Sequence, residues 1–101
     1  MKQTTELVLI EGTFNSQEAL KLVSSLLNYK INYHDLEIFS RKELDVNADI
    51  SRSERRIAEL KISGELLKEI IAEANKHNQN LSIHSIIKIE LIDNEPTKPS
   101  L

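Results

Sequence analysis

The chain lacks cysteine and tryptophan and carries only two glycines and two prolines in 101 residues. Each shortage excludes something. Without cysteine there is no disulfide framework, no thiolate nucleophile and no cysteine-based zinc site. Glycine occurs only at Gly12 and Gly64, which removes most phosphate-cradling loops, since these need several glycines for close backbone approach. The N-terminal apolar run, Leu7 to Ile10, is four residues long. A secretory h-region needs roughly 7–15 such residues and a membrane span about 20. The expectation is a soluble cytoplasmic protein. Basic charge is also in short supply. A net charge of −3 argues against a nucleic-acid binder, whose affinity comes from Lys and Arg displacing counterions along the phosphate backbone.

What is present is a globular composition, 40% hydrophobic and 29% charged, in a length that makes one domain. A domain this small leaves much of its surface exposed and gains from association.

"ELVLIEGTF" (Glu6 to Phe14) is β-prone and stops at a helix start, where Asn15 and Glu18 have capping-box spacing. The helix that follows has Ala19, Leu22, Val23 and Leu26 on one side, with Leu20, Leu27 and Ile31 beside them. That arc is too wide for a single partner. Its end is ambiguous: the helix runs to about His34, or the chain turns into a strand through Leu36–Ser40. Arg41 to Ile50 lack periodicity and read as a loop.

The stretch "SRSERRIAELKISGELLKEI" admits two periods. Ile57–Ile62 alternate as a strand would, but apolar or small residues also recur at Ile57, Leu60, Gly64, Leu67, Ile71 and Ala74. That three-four spacing persists for more than two heptads and predicts a helix from about Arg52 to Asn78, roughly 40 Å long. Ser51 and Glu54 supply a second capping box. Gly64 costs about 0.5–1 kcal/mol against Ala, and its inward position gives it a packing reason. "LSIHSIIKIELI" closes the domain as a long strand, with Leu81, Ile83, Ile87, Ile89 and Leu91 on one face. Residues 1–92 are read as one domain and 93–101, with two prolines, as a flexible tail.

The expected architecture is α+β: β-α-α-β, with two helices on a small antiparallel-containing sheet completed by dimerisation. If both ambiguous stretches are strands, the alternative is the ferredoxin-like β-α-β-β-α-β.

The run "EGTF…EA…LL…KINYH", followed by "RRIAEL…LL…A" and "LSIHSIIKI", resembles a family of small uncharacterised bacterial proteins. Lys30, Ile31, Tyr33 and His34, then Arg56, Ile57 and Leu60, carry the likeness. The resemblance implies a helix from Arg56 onward and brings no activity with it.

No catalytic, cofactor-binding or metal residues are assigned from the sequence, and no cofactor is expected. Lys30 and His34 sit one turn apart if the first helix continues, where a desolvated lysine beside a histidine would suit acid–base work. The competing reading is a helix end near Tyr29 with both residues solvated. Arg52, Arg55 and Arg56 gather on one helical side and offer a phosphate or nucleic-acid contact. Against this, Glu54 and Glu59 are interleaved, no aromatic platform accompanies them, and Arg55 with Glu59 has the spacing of an ordinary surface pair. His34, His77 and His84 have no metal-site spacing.

Surplus apolar surface points elsewhere. Ile62, Leu66 and Ile70 lie opposite the Ile57–Gly64 row, and Leu7 and Leu9 alternate with Val8 and Ile10. These five residues are the interface candidates. A non-enzymatic interaction module acting as a homodimer, with an unidentified protein partner as a further option, is the expected function. A nucleic-acid binder using the arginine face and a small enzyme using Lys30 and His34 are the alternatives.

Overall fold

The computed structural model describes residues 3–94. Its elements run β1 (Gln3–Phe14), α1 (Ser16–Leu44), α2 (Ser51–Lys76) and β2 (Leu81–Leu91). The two strands form an antiparallel sheet, so the chain is α+β with the order β-α-α-β. The ferredoxin-like alternative is excluded because Leu36–Ser40 and Ile57–Ile62 are both helical. Ile92 to Asn94 belong to neither helix nor strand, and the rest of the expected tail lies outside the described residues.

Helix α1 starts where its cap predicts. Asn15 Oδ1 accepts the Glu18 N–H at 2.8 Å, and the Glu18 carboxylate accepts the Asn15 N–H at 3.1 Å. The end differs from expectation: α1 continues through Arg41–Leu44, four residues read as loop. No glycine or proline interrupts this segment, and Arg41 and Lys42 complement the negative end of the helix dipole. Only Asp45 to Ile50 remain to connect the helices.

Helix α2 does not use the expected capping box. It begins at Ser51 itself, so the cap position falls on Ile50, which has no side-chain cap. Ser51 instead donates its N–H at 3.0 Å and its Oγ–H at 2.7 Å to Asp49 Oδ1. At the other end Asn78 takes a left-handed conformation, φ 51°. The Gln79 N–H then reaches the Ala74 carbonyl at 2.8 Å and the Asn78 N–H the Asn75 carbonyl at 3.3 Å, a Schellman termination. Asparagine is among the few residues that tolerate this backbone.

The helix seam follows the sequence pattern. Ile57, Leu60, Gly64, Leu67, Ile71 and Ala74 are all buried or half-buried, and Ser53 extends the row by a turn. Gly64 is a correction. A Cβ built there meets nothing within 4 Å, so close packing is not what places glycine at this position.

Between the strands the register shifts at Leu9: Val8 faces Ile86, and Ile10 faces Ser85. A one-residue bulge reverses the alternation on one side of it. Leu7 therefore sits opposite Ile87 on the same face as Ile10, Gly12 and Phe14, while Val8 joins Ile86 on the outer face. The expected division of Leu7 from Ile10 is overturned.

Burial concentrates in the helix seam and at the end of the sheet nearest the helices. Ile10, Ala19, Leu60, Ile71 and Ala74 form the core, and no large side chain is wholly enclosed. Beyond Ile10 and Ile83 the same sheet face continues with Leu7, Ile87, Ile89 and Leu91, all exposed. The Cα radius of gyration is 17.5 Å and the extents are 51 × 38 × 14 Å. A compact chain of this length would have a radius of about 13 Å. Among the described residues no helix is long and apolar enough to cross a membrane.

Candidate functional site

Because α1 does not stop near Tyr29, Lys30 and His34 do lie one turn apart, and both contact the Tyr33 ring, which packs edge-on to the His34 imidazole with ring centroids 5.5 Å apart. Lys30 Nζ sits 4.5 Å from the centroid of the Tyr33 ring, a cation–π contact worth about 0.5–1 kcal/mol at an exposed site. His34 is in the helix seam, only 2% exposed. Its Nδ1 is 3.4 Å from Glu37 Oε1, one turn further along α1.

The buried polar cluster has two members the sequence did not single out. Ser53 on α2 donates its Oγ–H to Glu37 Oε1 at 2.9 Å. One carboxylate oxygen thus gathers the hydroxyl of one helix and the imidazole of the other. The Ser53 hydrogen bond holds the Glu37 carboxyl below its ordinary value of 4.5; partial burial opposes this, and His34 adds to it. Serine, histidine and a carboxylate invite comparison with a nucleophilic triad, but the connectivity differs. A triad needs the imidazole between hydroxyl and carboxylate, so that it takes the nucleophile's proton. Here the carboxylate stands in the middle, and both Ser53 and His34 are buried. His34 Nε2 is also buried without a hydrogen-bond partner, an arrangement that typically costs about 1–3 kcal/mol. The cluster joins α1 to α2.

Arginines Arg52, Arg55 and Arg56 occupy the first turns of α2. The ion pair forms from Arg56 to Glu59 at 3.2 Å, not from Arg55 as its spacing suggested. Asp49 lies before them, its carboxyl held below the ordinary value of 3.8 chiefly by the two Ser51 hydrogen bonds, with Arg41 and Arg55 contributing. Acidic groups therefore answer part of this basic patch. The histidines remain apart: His77 Nε2 contacts Glu73 at 2.9 Å, and His84 Nδ1 lies 3.7 Å from Glu11 on the outer sheet face. Among the described residues no group of three or more acidic or histidine side chains is placed to hold a metal ion.

What stands out instead is uncovered apolar surface. Leu7, Leu9, Ile62, Leu66 and Ile70 are between 49% and 62% exposed. A second helical row escaped the sequence reading: Leu26, Tyr29, Tyr33 and Leu36, all exposed. Its three-four spacing is visible only once α1 is known to continue. At about 100° per residue this row lies roughly a third of a turn from the α1 seam, as the Ile62–Ile70 row does on α2. In an antiparallel pair the two rows then fall on the same side. The opposite side carries a polar-rimmed groove of about 360 Å³ beside Gly64, lined by Leu27, Ile31, Leu60 and Lys68 among others. No protein-family model, curated protein or solved structure matches the chain.

Proposed function

We propose that the protein is a small non-enzymatic interaction module that works as a homodimer. The observation that carries this reading is the apolar sheet face, which continues as Leu7, Ile87, Ile89 and Leu91, all exposed. A two-stranded sheet is marginal in water on its own, and three or more strands or a covering layer are needed for independent stability. The helical rows add to the same demand. Contiguous apolar surface of this kind marks an association site, and a second copy is its simplest occupant.

The competing functions find less support. A nucleic-acid or phosphate contact through Arg52, Arg55 and Arg56 would have to overcome the acidic balance and the neighbouring Glu59 and Asp49. A Lys30–His34 enzyme would need the two side chains to converge on a substrate. Sedimentation equilibrium over a wide concentration range tests the dimer. The expected result is a reversible monomer–dimer equilibrium; a monomer persisting at high micromolar concentration would defeat it.

A further inference from the structure

The surface that joins the two copies is identifiable from the strands, given the dimer reading on which this step rests. We propose that a second copy pairs along the free edge of β2, antiparallel about a two-fold axis at Ile89, giving one four-stranded sheet in the order β1-β2-β2′-β1′.

The two free edges of the sheet are not equivalent. The edge of β1 is broken by the bulge at Leu9, and its charges within the strand are Glu6 and Glu11 alone. An edge bent by a bulge is a poor template for pairing, and a single sign of charge cannot answer itself in a symmetric pair. By contrast, β2 is an uninterrupted strand of 11 residues. Its outer face carries one charge of each sign two residues apart, Lys88 and Glu90, with their charged atoms 3.6 Å apart.

That spacing selects the register. With Ile89 on the axis, Lys88 faces the partner's Glu90 and Glu90 faces the partner's Lys88, so the pairing repeats on both sides. Ile87 then meets the partner's Leu91. A slip of two residues puts Lys88 opposite Lys88, or Glu90 opposite Glu90, which is repulsive. An axis between residues turns the apolar face of one copy toward the solvent face of the other. Of these registers, the one at Ile89 sets opposite charges against each other and keeps the apolar faces on one side. It also continues the existing rows, because Leu7 pairs with Ile87 and Thr5 with Ile89 in each copy. Both helical pairs then lie over the same face of the enlarged sheet.

The absence of native cysteine makes the test direct. Residues opposed across an antiparallel pair have Cα atoms about 4.5–5.5 Å apart, within the range of a disulfide, about 4.4–6.8 Å. Ile89→Cys is expected to form a disulfide-linked dimer under mild oxidation, and Leu9→Cys, on the other edge, is not. In sedimentation equilibrium Lys88→Glu and Glu90→Lys should each weaken the dimer by about tenfold. The double charge exchange should restore it, with the circular dichroism spectrum unchanged throughout. A dimer that forms without the Ile89 cross-link and without charge rescue overturns this pairing and leaves the dimer reading standing. A wild-type protein that stays monomeric overturns both.

Discussion

Glu37 is where a single side chain holds two helices. Its carboxylate receives the Ser53 hydroxyl across the seam and stands beside the buried His34. Because its pKa is lowered in the folded state, its stabilisation is fully present above its ordinary value and drains away as the pH falls through the lowered one. Glu37→Gln keeps an acceptor for Ser53 and removes the titration. Thermal unfolding measured from pH 7 to pH 3 should therefore show a shallower acid-side loss of stability in this variant than in the wild type. Gly64 offers a second residue-scale test. A methyl group added there has open space around it, and an alanine lowers the entropy of the unfolded chain. Gly64→Ala should stabilise the protein by about 0.5–1 kcal/mol in denaturant titration. A loss of stability would show that the groove beside Gly64 closes on something the alanine obstructs.

At the scale of elements, the length of α1 decides most. Its last three turns present Tyr33, Leu36 and Phe39 to the surface and carry Glu37 to Ser53. Proline in a helix interior removes a hydrogen bond and clashes with the preceding turn, costing about 3 kcal/mol or more. Ser40→Pro should therefore be strongly destabilising and lower the helical signal in circular dichroism. In the loop that the sequence suggested nearby, the same change would cost little. The bulge at Leu9 acts on β1 as the extended end acts on α1. One extra residue moves Leu7 to the core face and Val8 to the outer one.

For the whole molecule, the determining fact is that a chain with a radius of gyration of 17.5 Å encloses very little of its own apolar surface. Leu66→Glu tests the helix side of the association. A charge in the middle of the Ile62, Leu66, Ile70 row is expected to shift the equilibrium toward monomer while the helical signal is retained, since Leu66 faces away from the seam. Association that binds only the folded state makes the melting temperature depend on concentration. The wild type should melt higher as it is concentrated, and Leu66→Glu should lose most of that dependence.

The sequence alone determined what short-range physics determines. The Asn15–Glu18 cap, the seven-residue repeat from Ile57 to Ala74 and the alternation of the closing strand are each set by neighbours within a turn or two. All three are present in the fold. Even here the second cap failed, because Asp49 reached Ser51 first and the helix began one residue early. Tertiary structure decided the rest. The end of α1 has no stop signal, so its length depends on packing against α2 through residues such as His34 and Ser53, 19 positions apart in sequence. The meeting of Glu37 with Ser53 needs both helices to be placed before either residue has a partner. The bulge at Leu9 is invisible in β1 by itself, since a strand's alternation is fixed only by the strand it pairs with, and that partner lies at the far end of the chain.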